Sequence, residues 1–204
     1  MKFYLSSYEI GNEAEKLRQL TPKGKIGYIP NARDFSGADP ERKTKRTESD
    51  IGSLRNLGLK VELVDLQNYF GHRDNLKQKL EDLGAIFISG GNVFVLRQAM
   101  KLSGLDEILK EIRNTNFLYA GYSAAGCVLA PDLKGMDIVD PLDTPYKGQK
   151  EIIWDGLGLV DFHFMPHWNS DHSESEDIAK EIAYCEQHNI PYKPVRDGEV
   201  LIIE

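Results

Sequence analysis

Ser123 carries the strongest chemical signature in this sequence. It stands in FLYAGYSAAGCVLA, residues 117–130, where a short apolar run meets a Gly-flanked turn and a string of small residues. Residues 117–120 read as a buried strand, Gly121-Tyr122-Ser123 as a sharp turn, and residues 124–130 as the first turns of a helix. This is the pattern of a nucleophile elbow. The turn lifts a hydroxyl out of the sheet, and the helix N-terminus behind it favours developing negative charge. The usual form is G-x-S-x-G; Ala125 stands at the second glycine and is the smallest replacement for it. The competing reading is a strand end and a helix cap in which the hydroxyl serves the backbone, since serine is a preferred capping residue.

A serine hydroxyl is a weak nucleophile until a base takes its proton, so the elbow requires a histidine. His72 in a Gly-His-Arg-Asp turn and His188 beside Asn189 read as surface residues. His163, His167 and His172 follow a strand candidate, and His167, in Met165-Pro166-His167-Trp168, is best placed at a strand's carboxyl end. His163 reads as structural. With Asp161 and Asp171 the cluster offers ligand types for a metal, but the spacing matches no strong zinc pattern, and neither a metal nor a cofactor is expected. A carboxylate must orient the imidazole. Asp197 is one choice, although an Asp-Gly turn needs no catalytic explanation; Asp132, Asp137 and Asp140 are rivals. For an oxyanion, the amide of Ala124 is the first donor, and the Gly90-Gly91-Asn92 turn opening a helix supplies the second.

The elements that must position these groups alternate. Strands are predicted over 2–5, 25–30, 60–66 and 85–89, with helices over 14–20, over a long charged stretch that follows the polar connection begun at 31–34 and ends near Leu57-Gly58, over 74–83, and after Asn92 with Val93, Leu96 and Met100 on one face. Another helix covers 105–112. The wholly apolar run AIFIS, 85–89, implies burial on both faces. Residues 131–156 are rich in Pro, Asp and Gly, with strand character only at 137–139 and 151–153. Residues 161–164 form a strand candidate, and 173–188 a helix with Ser173 and Glu176 spaced as a capping box. Residues 193–196 and 199–203 flank Asp197-Gly198, a hairpin signal. The fold class is therefore α/β: a helix-flanked, mostly parallel sheet with a C-terminal β-hairpin. Sites in such sheets gather beyond the carboxyl ends of the strands, so Ser123, Gly90 and Asn31 should converge.

A chain of 204 residues allows one sizeable domain, and its 41% hydrophobic content argues against disorder. The net charge of −7 removes the footprint of a general nucleic-acid binder. The basic run from Arg42 to Arg46 lies among Asp39, Glu41, Glu48 and Asp50, and reads as a solvated face. Cys127 and Cys185 suggest no disulfide framework. No signal-peptide core or membrane-spanning run is present, so the expected location is cytoplasmic, with no membrane partner.

Together, SGGNVFVLRQ at 89–98, GYSAAG at 121–126, PHW at 166–168 and the closing acidic turn resemble the peptidase E and cyanophycinase family, across most of the chain. The specificity lies in the ordered combination of motifs. The resemblance implies a class I glutamine amidotransferase-like, flavodoxin-like fold, a single catalytic domain over 1–204, and serine peptidase cleavage of small peptides or aspartyl-linked polymers. Ser123 matches the nucleophile, His167 the base, and Gly91 and Ala124 the oxyanion donors. Asp197 falls where the family carries a glutamate, one methylene longer. An aspartate downstream of the nucleophile is the family's other candidate, and Asp137 is nearest to it. The order Ser, His, acid differs from that of α/β-hydrolases. Peptidase E prefers an N-terminal aspartate held by an arginine after the histidine; Glu174 aligns there and would repel that side chain, implying a specificity other than aspartyl. Gly90, Asn92 and Glu174 would line the substrate site.

The leading expectation is a serine peptidase acting on short peptides through an acyl-enzyme, as a monomer or homodimer. The departures at Ala125 and Asp197 motivate a second reading, a regulatory protein that binds small molecules or peptides without efficient chemistry. A glutamine-amidotransferase-like enzyme would need a cysteine at the elbow; Cys127, four residues on, reads as a small packed residue.

Overall fold

The structure is a computed structural model that describes residues 1–204. Its strands are β1 Lys2–Ser6, β2 Lys25–Ile29, β3 Lys60–Leu63, β4 Ala85–Ile88, β5 Leu118–Tyr122, β6 His163–Met165, β7 Tyr192–Pro194 and β8 Val200–Ile203. Its helices are α1 Ala14–Leu20, α2 Pro40–Asn56, α3 Arg73–Leu83, α4 Val93–Ser103, α5 Leu105–Glu111, α6 Ala124–Cys127 and α7 Ser175–His188. Six strands form the central sheet in the order β3-β2-β4-β5-β1-β8, all parallel except β8, which runs antiparallel to β1. β6 and β7 pair separately and in parallel.

The apolar run at 85–88 shows why the sheet sits in the middle. Every residue of β4 is buried, and alternate side chains enter different cores. Ile86 and Ile88 join the larger cluster under α4 and α5, while Ala85 and Phe87 join the smaller one with Leu17 of α1 and Leu54 of α2. Burying a side chain such as Phe87 or Ile88 contributes about 1.5–3 kcal/mol. A one-residue slip would exchange the two sets, so the register is well specified. That register matters for function: Ile29 pairs with Ile88, Ile88 with Gly121, and Ser6 with Tyr122. The residues after β1, β2, β4 and β5 therefore emerge at one end of the sheet.

Four local expectations differ. The Asp197-Gly198 turn forms, with the Glu199 amide bonded to the Arg196 carbonyl at 2.9 Å, but the strands beside it do not make a hairpin. Pro194 in β7 has no amide to offer a ladder, whereas β1 presents an open edge that β8 fills. The capping box at Ser173 and Glu176 does not form. α7 starts at Ser175, after a turn in which the Ser175 amide bonds to the His172 carbonyl and the Glu174 amide donates to the His172 ring. Residues 136–138 form a 3₁₀ turn rather than a strand, and 151–153 are irregular; the only pairing in that region is an isolated bridge between Asp132 and Asp155. Asn31 is fully buried and does not reach the cleft described below. Its side chain donates to Asp34 and Asp65 and accepts from the Leu66 amide.

Candidate active site

Ser123 follows β5 in a left-handed conformation, φ 50° and ψ −113°, a geometry that costs about 1–3 kcal/mol and must be held by its surroundings. Those surroundings are specific. The Ser123 amide donates to Ser6 and its carbonyl accepts from Gly126 and Cys127. Tyr122, one residue before it, is tied down by its hydroxyl, which donates to Asp50 at 2.9 Å and accepts from Arg33. Arg33 and Asp50 form a buried ion pair at 2.7 Å that Tyr28 completes. Although Ser123 occupies the N-cap position of α6, its side chain makes no capping bond. The hydroxyl is free for other work.

Ala125, where the elbow pattern has glycine, is fully buried and its carbonyl accepts from Tyr119. The close approach is provided one residue later. A Cβ at Gly126 would come within 2.4 Å of the Phe164 ring, so this glycine lets β6 lie against α6. Three residues beyond Phe164 the chain places His167.

His167 is 2% exposed, with φ 58°. Its Nδ1 lies 2.7 Å from Asp197 Oδ1, and its amide donates to Ser7 Oγ at 2.7 Å. The Ser7 hydroxyl in turn donates to the same Asp197 oxygen, also at 2.7 Å. An ionised carboxylate only accepts, so Nδ1 carries the proton and the Nε2 lone pair is the basic one. The imidazole pKa lies below its ordinary value, because burial penalises the cation first and the neighbouring His172 second, against the pull of Asp197. Ser123 and His167 line one cleft of about 760 Å³, with no direct hydrogen bond between them. Such bonds often tighten only with substrate in place.

None of the rival carboxylates bonds to His167, although Asp140 borders the same cleft. Asp137 is exposed on the 3₁₀ turn, and Asp132 stands 3.7 Å from the buried His163. Asp140 accepts from the Val93 amide at the start of α4; burial, with Glu174 nearby, pushes its carboxyl up to about 7.

Gly91 has φ 147°, and a Cβ there would meet the Ala32 carbonyl oxygen at 2.3 Å, so only glycine fits. The amides of Gly91 and Ala124 donate to no group of the protein. Gly90 and Asn92 also border the cleft; Asn92 caps α4 by accepting from Val95 and donates to the Pro141 carbonyl. Glu174 lies 3.9 Å from His167 Nε2. His167, His172 and Glu174 bring possible ligand atoms within 4.8 Å of one another. The two rings stack at 3.7 Å and 12°.

Sequence reasoning missed Ser7 and Tyr8, which follow β1 at the same end of the sheet; the rule that selected the other loops applies to them equally. It also set aside the basic run as solvated, yet Arg42 and Arg46 border the cleft. Their i, i+4 spacing is the signal that both share one helix face.

A free hydroxyl on a strained turn, an imidazole backed by a carboxylate and two unpaired amides together suit acyl transfer. The profile of Peptidase family S51 matches residues 7–204. The chain belongs to peptidase family S51. It is a serine peptidase. An uncharacterized peptidase of Listeria monocytogenes is 30% identical over 87% of this chain and 81% of its own length. Peptidase E of Streptomyces coelicolor is 27% identical over 91% of this chain and 70% of its own. The fold is shared with the crystal structure of a candidate peptidase E protein from Listeria monocytogenes, at a TM-score of 0.79 and 23% identity, covering 99% of this chain and 93% of that one. No helix of this S51 peptidase is long and apolar enough to cross a membrane.

Proposed function

We propose that this S51 peptidase hydrolyses short peptides through an acyl-enzyme, with Ser123 as nucleophile, His167 as general base and acid, and Asp197 as the group that orients the imidazole. The observation that carries this reading is the 2.7 Å contact between His167 Nδ1 and Asp197, which leaves Nε2 free to take a proton in the cleft that holds Ser123. Ser123 Oγ bonds to the scissile carbonyl carbon as its proton passes to Nε2, and the amides of Gly91 and Ala124 hold the oxyanion. The C–N bond then breaks and His167 returns the proton to the leaving amine. Water repeats the cycle on the ester, giving up a proton to His167 that restores the Ser123 hydroxyl as the acid leaves.

Gly90, Asn92 and Glu174 border the acyl group in this reading, and the Glu174 carboxylate disfavours an acidic side chain there. Residues 1–204 act as a single catalytic domain, because the site draws on Ser7 at one end of the sequence and Asp197 at the other.

The test is a serine-directed fluorophosphonate. Wild type is expected to be labelled at Ser123 and to cleave members of a short-peptide library. Absence of labelling together with saturable peptide binding would overturn the reading in favour of a binding protein.

The lowered pKa of His167 adds a pH dependence. Only the neutral imidazole can accept the Ser123 proton, so kcat/KM is expected to rise with pH through an apparent pKa below the ordinary 6.5. An acid limb centred above 6.5 would contradict it.

A further inference from the structure

One wall of the cleft is cationic in a way the reaction itself does not use. Four lysine and arginine side chains border it: Arg33, Arg42, Lys43 and Arg46. Arg33 is committed to buried Asp50, Lys43 pairs with Asp34, and Arg46 pairs with Glu9 and donates to the Tyr8 hydroxyl. Arg42 alone forms no ion pair and no hydrogen bond, although Asp39, one turn earlier, borders the same wall. The Asp39 carboxylate instead accepts from the Glu41 amide as the cap of α2. An arginine left without a partner at the rim of a substrate cleft is a ready fork for a planar carboxylate.

The distances suit a short peptide. The guanidinium carbon of Arg46 lies 5.7 Å from the centre of the Tyr8 ring, and that ring centre lies 6.0 Å from the centre of the His167 ring. Extended peptide advances about 3.4 Å per residue, so at most about three residues bridge from the imidazole to the Arg46 guanidinium. Arg42 sits one helical turn from Arg46 on the same face. The charged groups nearest His167 are anionic, the Glu174 carboxylate at 3.9 Å from Nε2 and Asp197 at Nδ1.

We propose that Arg42, flanked by Arg46, is a subsite for a carboxylate that the peptide carries outside the scissile bond. The inference rests on the peptidase reading above and names part of its substrate class. The carboxylate has two possible sources, a peptide C-terminus or an acidic side chain.

Four pools of tri- and tetrapeptides separate them: free C-termini without acidic residues, the same sequences as C-terminal amides, amides carrying one glutamate, and amides carrying glutamine in its place. Cleavage is followed by mass spectrometry for wild type, Arg42→Gln and Lys45→Gln, the last removing an α2 charge that does not border the cleft. Wild type is expected to prefer free acids over amides, or glutamate over glutamine, by about tenfold in kcat/KM, and the preferred pair identifies the source. Arg42→Gln erases that preference through KM with kcat kept, and Lys45→Gln retains it. Cleavage without preference in either pair, a preference that survives Arg42→Gln, or an equal loss in Lys45→Gln overturns the subsite while leaving the peptidase reading intact. No cleavage in any pool overturns the proposed substrate class and the subsite with it.

Discussion

Replacing Ser123 with alanine is expected to lower kcat/KM for peptide hydrolysis by about 10⁴-fold or more, the scale on which removal of an activated nucleophile acts. The fold should not notice. The Ser123 side chain makes no hydrogen bond, and the φ of 50° is enforced by backbone contacts and by Tyr122, none of which the hydroxyl supports. Alanine keeps the Cβ that the turn already accommodates, so the melting temperature should stay within a degree or two, as for a substitution worth about 0.5 kcal/mol or less. Steady-state kinetics beside a thermal melt checks both halves. Full turnover in the alanine variant would remove Ser123 from the mechanism.

The second large effect belongs to Asp197. Asp197→Asn keeps a carbonyl oxygen able to accept from Ser7 and from His167 Nδ1, but removes the charge that stabilises the imidazolium. A fall of about 10²–10⁴-fold in kcat is expected. The pH profile makes the result specific. Asp197 raises the His167 pKa against burial and His172, so neutralising it should move the acid limb to still lower pH while the plateau falls. A residue that merely held the turn together would lower activity without moving that limb. An unchanged limb and plateau would return the role to another acid.

Much of this site was legible because each signal was local. The elbow announces itself in a few adjacent residues, and AIFI in β4 states that both faces of the sheet are covered. The glycine turn before α4 is equally plain. What escaped depends on pairings between distant segments. The Asp-Gly turn was readable, but which strands its flanks would join depended on the open edge of β1 and on Pro194. Ser7 bonds to partners 160 and 190 residues away, a relation that no spacing encodes. The start of α7 shifted because the His172 ring takes the Glu174 amide, a bond that competes with the capping box. The run from Arg42 to Arg46 lies on a helix with Arg42 and Lys45 exposed, as composition suggests, but only the helix orientation shows that Arg42 and Arg46 also border a cleft.

The strand β8 lies at the edge of the sheet, held by β1 alone, and its four residues are all only half buried. The turn that leads into it carries Asp197, and Ser7 follows the strand it rests on. Edge elements with one neighbour open with less free energy than the core. Fraying of this last strand would withdraw the acid from His167 while the buried strands β4 and β5 remain intact. Catalysis should therefore fail on heating before the molecule melts, with residual activity reporting the docking of one peripheral strand and amide exchange in β8 fading in step with it.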